Sequence, residues 1–547
     1  MGSMNANNLS KYTFVVLIGM VLFVPFLGQV HLFDWDEINF AECAREMIVT
    51  NDYLKVQIDF QPFWEKPPLF IWMQVLAMKC FGVSEYAARF PNAIMGILTL
   101  AALYYIGKRV VNEKMAMWWV LLYAGTWLPH FYFKSGIIDP TFNFFIFLAF
   151  YQMFVLRQSN KKLFHALLTG LFLGLAMLTK GPVAILIALL SLGVYVILNK
   201  GLWGYTYRHL LMIAMAAAIP FGLWFLAGVI QYGWSYGSWF MQEFITYQIR
   251  LFSTEDAGHG QPFFYHFLVL LIGCFPASPF LFQYFKRASK DNDKSKDFTR
   301  WMWILFWVTL LLFSIVKTKI VHYSSLCYFP LTYLAAIKIS AIADGKEKLR
   351  NGVKIVLGIV GILLALLIAS LPLVGIHKSK LIPLIKDPFA VANLSATVSW
   401  SYVEAGWGLL YFIAIILFLI IVRQRFVAAM RMLLLASVII IQITVLHFTP
   451  KIEAYSQRAA IRYFKSFVGK EVYIQVLGYK SYAQLFYADK QPRQSGKHIT
   501  EDWLLNGKID KPAYFICKIT SSEQYKAMPQ LQYIGEKNGF VFFKRLP

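Results

Sequence analysis

The stretch KYTFVVLIGMVLFVPFLGQVHLFDWDEINF (residues 11–40) decides the fold class. A lysine precedes an apolar run that is long enough to cross the ~30 Å hydrocarbon core of a bilayer as a helix. No small-residue cleavage pattern follows, so we expect a retained membrane helix and not a signal peptide. The acidic residues Asp34, Asp36 and Glu37 then mark the point where this helix leaves the membrane.

The composition extends this interpretation to the whole chain. Of its 547 residues, 58% are hydrophobic, 17% are aromatic and only 15% are charged, and the mean hydropathy is +0.54. These values are typical of a polytopic membrane protein. We expect an α-helical bundle, because a helix satisfies its own backbone hydrogen bonds inside lipid.

The net charge of +23 comes mainly from short loops between the apolar runs. These basic clusters occupy alternate loops, as the cytoplasmic loops of membrane proteins do. They are residues 107–114, 157–162, 286–300, 344–350 and 423–431. Membrane topology therefore explains the positive charge, and no nucleic-acid partner is expected.

The same anchors predict about thirteen membrane-spanning helices. They begin near residues 12, 87, 115, 138, 163, 182, 208, 263, 300, 323, 353, 405 and 430. An odd number places the N-terminus in the cytoplasm and the C-terminal tail outside. Two outer loops are long: residues 31–85, in which INFAECAREMIV predicts a helix along the membrane surface, and residues 229–262, which predict a mobile flap.

The sequence changes character after about residue 448. EVYIQVLGY, AYFICK and FVFFKRL predict β-strands, whereas EAYSQRAAIRYFKSF and SYAQLFYAD predict helices. We therefore divide the chain into a membrane domain of residues 1–447 and a small periplasmic α/β domain of residues 448–547. The five cysteines form no CxxC pair, and we assign them no chemistry.

Charged residues recur in the outer loops, where the positive-inside rule disfavours lysine. They lie in the first acidic stretch and in FWEKPPLFIW, KSGIIDPTFNFF, LTKGPVAIL, QIRLFSTEDAGHGQPFFYH and KTKIVHY. Each motif alone has a plain explanation, such as a helix cap, an ion pair or a snorkelling lysine. Together they predict one site at the membrane surface, in which carboxylates orient or deprotonate a nucleophile and cations stabilise a departing phosphate.

The order of these motifs resembles that of the bacterial protein O-mannosyltransferase superfamily, and especially of the aminoarabinose transferases that modify lipid A. The likeness covers roughly residues 10–345 in ordered motifs. It implies the type C glycosyltransferase fold and a sugar donor on undecaprenyl or dolichyl phosphate. The acceptor is then lipid A or a related periplasmic glycolipid, or, in the alternative interpretation, serine and threonine of secreted proteins.

The resemblance and the outer-face position of the motifs also predict roles for individual residues. The expected catalytic carboxylates are Asp36, Glu37 and Asp139. The expected ligands of the donor phosphate are Lys66, Lys180, Arg250, Lys317, Lys319 and Tyr323. Glu65 and His259 resemble a pair that holds a divalent metal ion (Zn²⁺, Mg²⁺ or Mn²⁺), and no organic cofactor is expected.

One position departs from the family pattern. Aminoarabinose transferases commonly have arginine three residues after the catalytic aspartate, where this chain has Asn39. The reaction expected is therefore an inverting transfer at the outer face of a bacterial inner membrane, with the sugar left open. A lipid-linked sugar flippase is a less favoured alternative, because its pathway needs polar residues within the spans and the apolar runs are nearly uninterrupted.

Overall fold

The computed structural model describes residues 6–201, 204–253, 260–285, 293–496 and 498–547. Within these ranges, nine helices are long and apolar enough to cross a membrane, or ten if the bent pair Tyr265–Gly273 and Ser278–Tyr284 forms one span. Shorter apolar helices accompany them: Leu9–Phe23, Leu69–Phe81 and Val183–Leu198. The chain is therefore a multi-pass helical membrane protein, as predicted, whereas the count of thirteen spans stays a prediction.

The helices up to residue 443 are, in chain order, α1 (Ala6–Phe23), α2 (Asp36–Thr50), α3 (Leu69–Phe81), α4 (Glu85–Val110), α5 (Glu113–Gly125), α6 (Trp127–Tyr132), α7 (Asp139–Gln158), α8 (Lys162–Lys180), α9 (Val183–Leu198), α10 (Tyr207–Tyr232), α11 (Trp234–Ser253), α12 (Tyr265–Gly273), α13 (Asp293–Ile315), α14 (Tyr328–Ala343), α15 (Asn351–Ile376), α16 (Lys378–Leu381), α17 (Pro388–Leu394), α18 (Ala405–Ile421) and α19 (Phe426–Ile443). The 3₁₀ segments Ser278–Phe285 and Val321–Cys327 flank α13. The span predicted near residue 115 is divided into α5 and α6 at Thr126, whose backbone is extended.

Small residues let α8 and α10 approach each other closely. A Cβ atom at Gly170 would lie 2.4 Å from the carbonyl oxygen of Ile213, and one at Gly174 would lie 2.6 Å from that of Ala217. Because lipid offers no hydrophobic driving force between helices, such close packing is a main source of their association. This contact fixes α8, whose last residue belongs to the candidate site.

Helix α2 forms at the predicted position, and other parts of the protein cover it. Every residue from Glu37 to Met47 is buried. Arg45 donates to both oxygens of Glu42, at 2.8 and 2.7 Å, and to Asp489 near the C-terminus at 2.8 Å. The C-terminal part of the chain therefore covers α2, and the position of this helix along the membrane surface stays a prediction.

The C-terminal part contains short helices and a four-stranded sheet. The helices are α20 (Thr449–Glu453), α21 (Arg458–Lys465), α22 (Ala483–Tyr487), α23 (Glu501–Asn506) and α24 (Ser522–Lys526). A hairpin in the first loop supplies β1 (Gln57–Ile58) and β2 (Gln61–Pro62), and the C-terminal sheet consists of β3 (Tyr473–Leu477), β4 (Ala513–Lys518), β5 (Gln532–Lys537) and β6 (Phe540–Arg545). Its order is β3-β4-β6-β5, with β3 parallel to β4 and the other pairs antiparallel.

The predicted small sheet domain is thus present, and β3, β4 and β6 lie in the predicted segments. Strand β5 was not expected, because nearly all of its side chains are exposed and it shows no apolar alternation. The predicted boundary at residue 447 falls within the helical stretch Phe426–Glu453, which continues from the membrane part.

Candidate active site

A cavity of about 510 Å³ lies where α2, the turn before α3, the start of α7, the end of α8, α11 and the segment after α13 meet. The predicted residues that line it are Asp36, Glu37, Glu65, Lys66, Asp139, Lys180, Arg250 and Tyr323. Lys317 is exposed and Lys319 is buried, and neither lines the cavity. His259 lies outside the described residues.

Two proline-containing turns position the lysines of this cavity. In TKGP, Lys180 ends α8, and Gly181 follows with φ +94°, a left-handed conformation that favours glycine. In EKPP, Pro68 is the N-cap of α3, and the two prolines restrict the backbone that follows Lys66. Each lysine is therefore held next to a helix end.

Asp139 forms a buried ion pair with Lys180. Asp139 is the first residue of α7 and is 2% exposed. The N-cap of α7 is Ile138, so the Asp139 carboxylate does not act as the expected helix cap. This carboxylate instead accepts a hydrogen bond from Lys180 Nζ at 2.5 Å. The same ammonium lies 5.1 Å from the ring centre of Tyr323. Three motifs from distant parts of the sequence therefore meet at Lys180.

Asp36 is the more accessible of the two aspartates, with 38% of its side chain exposed. His322, from the 3₁₀ segment after α13, lies 3.5 Å from Asp36 Oδ2 and 3.9 Å from Asp139 Oδ2. The imidazole therefore connects two carboxylates that begin different helices. His322 was not among the predicted site residues, although it stands in the KTKIVHY motif beside Tyr323.

Glu37, the neighbour of Asp36, has a closed set of contacts. Arg89 donates to its two oxygens at 2.9 and 2.7 Å, and the backbone amides of Phe33 and Gly136 donate at 2.9 and 2.5 Å. Burial raises the pKa of Glu37, but the Arg89 guanidinium and the amides outweigh it and hold this pKa below its usual range. These contacts tie the first loop to α4 and to the turn before α7.

Tyr247 of α11 organises the cationic wall of the cavity. Its ring centre lies 5.4 Å from Lys66 Nζ and 5.4 Å from Arg250 Cζ, a geometry that attracts cations to the ring face. Its hydroxyl donates to Glu65 at 2.9 Å. Burial lowers the pKa of Lys66, and the Glu65 and Asp36 carboxylates oppose this shift. Sequence reasoning missed Tyr247 because α11 is rich in aromatic residues and none of them stands out.

The donors described by the structure do not complete the predicted metal site. Across the described ranges, no group of three or more histidine, cysteine, aspartate or glutamate side chains could hold a metal ion. Glu65 accepts a hydrogen bond from the Tyr247 hydroxyl. His259, the second predicted metal ligand, lies in residues 254–259, which the structure does not describe. The metal site stays a prediction.

The C-terminal domain reaches the cavity through Lys480, which sequence reasoning did not single out. The ammonium of Lys480 lies 4.7 Å from the ring centre of Trp35. Next to it, Ser481 donates a hydrogen bond to Asp34, and burial raises the pKa of this aspartate. The first acidic stretch is therefore covered from two directions, by the membrane helices and by the C-terminal domain.

The sequence is similar to that of several described transferases over most of its length. A family model described as dolichyl-phosphate-mannose-protein mannosyltransferase matches residues 65–224. The chain is 26% identical to the undecaprenyl phosphate-alpha-4-amino-4-deoxy-L-arabinose arabinosyl transferase of Edwardsiella ictaluri, and 26% identical to a protein of the same description from Proteus mirabilis. Both alignments cover 72% of this chain, and they cover 73% and 70% of the two relatives.

The fold is similar to that of ArnT from Cupriavidus metallidurans. The crystal structure of ArnT in the apo state matches with a TM-score of 0.74 and 17% identity, over 98% of each chain. The structure of ArnT bound to undecaprenyl phosphate matches with a TM-score of 0.71 and 18% identity, again over 98% of each chain. The two proteins therefore share their architecture from the first membrane helix to the C-terminal sheet.

Proposed function

We propose that this chain, which belongs to the superfamily of aminoarabinose transferases and protein O-mannosyltransferases, transfers a sugar from a polyprenyl-phosphate donor to lipid A or a related glycolipid. Its relatives are described as transferases that use undecaprenyl-phosphate aminoarabinose. The observation that carries the proposal is the convergence of Asp36, Asp139, Lys66, Lys180 and Arg250 on one cavity.

The cations of the cavity suit the leaving group. The cationic groups of Lys66 and Arg250 both lie over the ring of Tyr247. The ammonium group of Lys180 donates one hydrogen bond to Asp139 and has further N–H groups that can donate to a phosphate. When the bond between the anomeric carbon and the phosphate oxygen breaks, negative charge develops on that phosphate. Fixed cations stabilise this charge without reorganising during the reaction, which lowers the barrier.

Asp36 is the residue best placed to act on the incoming nucleophile. Among the described residues, no lysine or arginine forms an ion pair with Asp36, whereas Asp139 is paired with Lys180 and Glu37 with Arg89. An acceptor phosphate needs mainly to be oriented, and a hydroxyl acceptor must also lose its proton, which Asp36 can take. The acceptor oxygen attacks the anomeric carbon, polyprenyl phosphate leaves, and one displacement inverts the configuration.

Asn39 contributes to recognition in the same cavity. The side chain is 7% exposed, it lines the cavity, and its carbonyl Oδ1 accepts no hydrogen bond from any described residue. A buried carbonyl without a donor is costly, by about 1–3 kcal/mol, so a hydroxyl or ammonium group of the donor sugar would relieve it. We therefore assign Asn39 to contact with the sugar.

The proposed orientation places the N-terminus in the cytoplasm and the site and C-terminal domain in the periplasm. The charge pattern of the loops supports this orientation. Two of the basic loops that are predicted to lie in the cytoplasm also contact each other in the structure. Lys114, from residues 107–114, forms an ion pair with Asp344, from residues 344–350. Cysteine labelling of residue 537 in β5 from the periplasm tests it, and protection of that site in intact cells would contradict it.

The transfer assay uses protein in nanodiscs, undecaprenyl-phosphate aminoarabinose as donor and lipid A as acceptor. We expect Asp36→Asn and Lys66→Ala each to reduce transfer by at least about 100-fold, because each removes a group that acts at the reacting atoms. Lys537→Ala, on the exposed strand β5, is the matched control. Unchanged transfer by both site variants would overturn the proposal.

The description of the matching family model favours a second candidate acceptor, the hydroxyl groups of secreted proteins. Mass spectrometry of lipid A and of secreted proteins from a deletion strain separates the two acceptors. Loss of a sugar from lipid A supports the first, and loss of a hexose from serine or threonine supports the second.

The predicted metal ion is tested by its content and not by activity. Elemental analysis of purified wild-type protein and of Glu65→Gln should show one divalent ion per chain in the former and less in the latter. Wild-type protein without stoichiometric metal would contradict the assignment of Glu65 and His259.

A further inference from the structure

A second cavity, of about 440 Å³, lies next to the catalytic one, between the β1–β2 turn and the C-terminal sheet. Its lining is rich in carboxylate, amide and phenol groups and includes Asp59, Gln475, Tyr479, Gln484, Glu501 and Tyr525. The loop after β3 supplies part of this wall, and the carboxyl end of a strand in a parallel pair is a common place for ligands. Groups of this kind suit the hydroxyls of a saccharide.

Lys480 lines both cavities. Its ammonium lies over Trp35, at 4.7 Å, and over Tyr482, at 5.6 Å. In the part of the chain that the structure describes, no carboxylate forms an ion pair with this lysine. Lys480 is exposed at this junction, so its ammonium group can bind an anionic group such as a sugar phosphate.

Two acceptor atoms in the second cavity receive no hydrogen bond from the described residues. Gln484 is 6% exposed, and its Oε1 receives no hydrogen bond from the described residues. Asp59 is held by Lys490 at 2.6 Å and by Ser495 at 2.9 Å, and both contacts use Oδ1. Its Oδ2 has no hydrogen-bond partner among the described residues, so this carboxylate oxygen and the amide oxygen of Gln484 can accept hydrogen bonds from sugar hydroxyls.

We propose that the second cavity binds the saccharide part of a phosphorylated glycolipid acceptor. Lys480 binds the acceptor phosphate at the junction, and Gln484 and Asp59 accept hydrogen bonds from the sugar. The acceptor then enters from the C-terminal domain, while the donor phosphate occupies the cationic wall around Tyr247. This inference rests on the proposed function, and it assigns the C-terminal domain a role in acceptor binding.

The test measures KM for lipid A and KM for the donor separately, with protein in nanodiscs. Lys480→Ala and Gln484→Leu should each raise the acceptor KM by about 10-fold, the effect of losing one hydrogen bond to a buried or charged group. The donor KM should change much less. Lys480→Arg should restore most of the acceptor affinity, and Lys537→Ala is the control on the same domain.

An acceptor without its phosphates gives the sharper result. Removing them should raise the Kd of the acceptor for the wild-type protein, measured as binding without the donor, by about 10-fold and that for Lys480→Ala hardly at all, because the two changes remove the same contact. Equal effects of dephosphorylation in both proteins, or an unchanged acceptor KM in Lys480→Ala, would overturn the inference. If wild-type protein transfers no sugar from the polyprenyl donor, the proposed function fails first, and the inference fails with it.

Discussion

Asp36 and Glu37 are adjacent in the sequence, yet they belong to two different kinds of charge cluster. Glu37 lies in a closed cluster, where Arg89 and two backbone amides engage both of its oxygens. Asp36 lies in an open cluster, in which His322 Nε2 is 3.5 Å from its Oδ2 and the residue lines a cavity. The closed cluster stabilises the fold, whereas the open one retains hydrogen-bonding capacity for a substrate.

Between these extremes lies the buried pair of Asp139 and Lys180. The pair is tight, at 2.5 Å, but the lysine remains 13% exposed and lines the same cavity as Asp36. Burial alone therefore does not separate structural charges from chemical ones. The distinction depends on whether all donors and acceptors are already engaged, and substitutions can test it.

Arg89→Met should have the largest effect on stability. It leaves Glu37 buried without its cation, and breaking a buried ion pair from one side costs about 3–5 kcal/mol. Thermal unfolding in detergent, followed by fluorescence-detected size exclusion, measures this loss. Arg109→Met, at an exposed position of the same helix, is the control and should change stability by no more than about 0.5 kcal/mol. Equal melting temperatures for the two variants would contradict the stabilising role of the closed cluster around Glu37.

Lys180→Met should affect turnover more than stability. It removes a cation from the open cluster and leaves His322, 3.9 Å away, as the nearest ion-pair partner of Asp139 among the described residues. We expect turnover per folded molecule to fall by about 10–100-fold, or about 1.4–2.7 kcal/mol in the barrier. Lys180→Arg should recover part of it. If Lys180→Met keeps wild-type turnover, the Asp139–Lys180 pair stabilises the fold in the way that the closed cluster around Glu37 does.

Tyr247→Leu should weaken donor binding through the two cations on its ring. Cation–π contacts contribute about 0.5–2 kcal/mol each, so the donor KM should rise by about 3–10-fold. Tyr247→Phe keeps the ring and loses only the hydrogen bond to Glu65, so its effect should be smaller. A larger effect of the phenylalanine variant would contradict a role of the ring.

Glu46 should give the smallest effect, a pH dependence of stability. Burial, followed by the Glu42 carboxylate, raises the pKa of Glu46 well above its usual value of 4.5. The folded state therefore keeps a proton that the unfolded state releases above pH ~4.5, so stability falls as the pH rises, by up to about 1.4 kcal/mol per unit. Glu46→Gln should flatten this slope between pH 7 and pH 8 in thermal unfolding. An identical slope in the variant would contradict a protonated Glu46.

The sequence motifs predicted much of the lining of the candidate cavity because each motif carries its own local signal. Lys66 and Lys180 stand within two residues of prolines that mark helix boundaries, and Asp139 begins a helix, so the predicted topology brings all three to one side. Tyr247 and Lys480 carry no such signal, because they reach the cavity only through the packing of α11 and of the C-terminal domain. The burial of α2 was likewise not predictable, since it depends on a segment more than 400 residues away.

Of the three residues predicted from KTKIVHY, the structure places Tyr323 at the cavity, beside His322, but not Lys317 or Lys319. The 3₁₀ geometry that begins at Val321 brings His322 and Tyr323 to the cavity, whereas Lys317 and Lys319 precede it. A pattern of residue types cannot show which members of a turn face the same side. Backbone geometry decides this.

The most direct test of the account compares Asp36→Asn with Glu37→Gln, two nearly isosteric changes at neighbouring positions. Both proteins are assayed for sugar transfer per folded molecule and for thermal unfolding. Asp36→Asn should lose about 10²–10⁴-fold in turnover with little change in melting temperature, whereas Glu37→Gln should lose stability and keep most of its turnover. A stable Glu37→Gln protein without activity, or an Asp36→Asn protein with wild-type turnover, would contradict the assignment of chemistry to the open cluster.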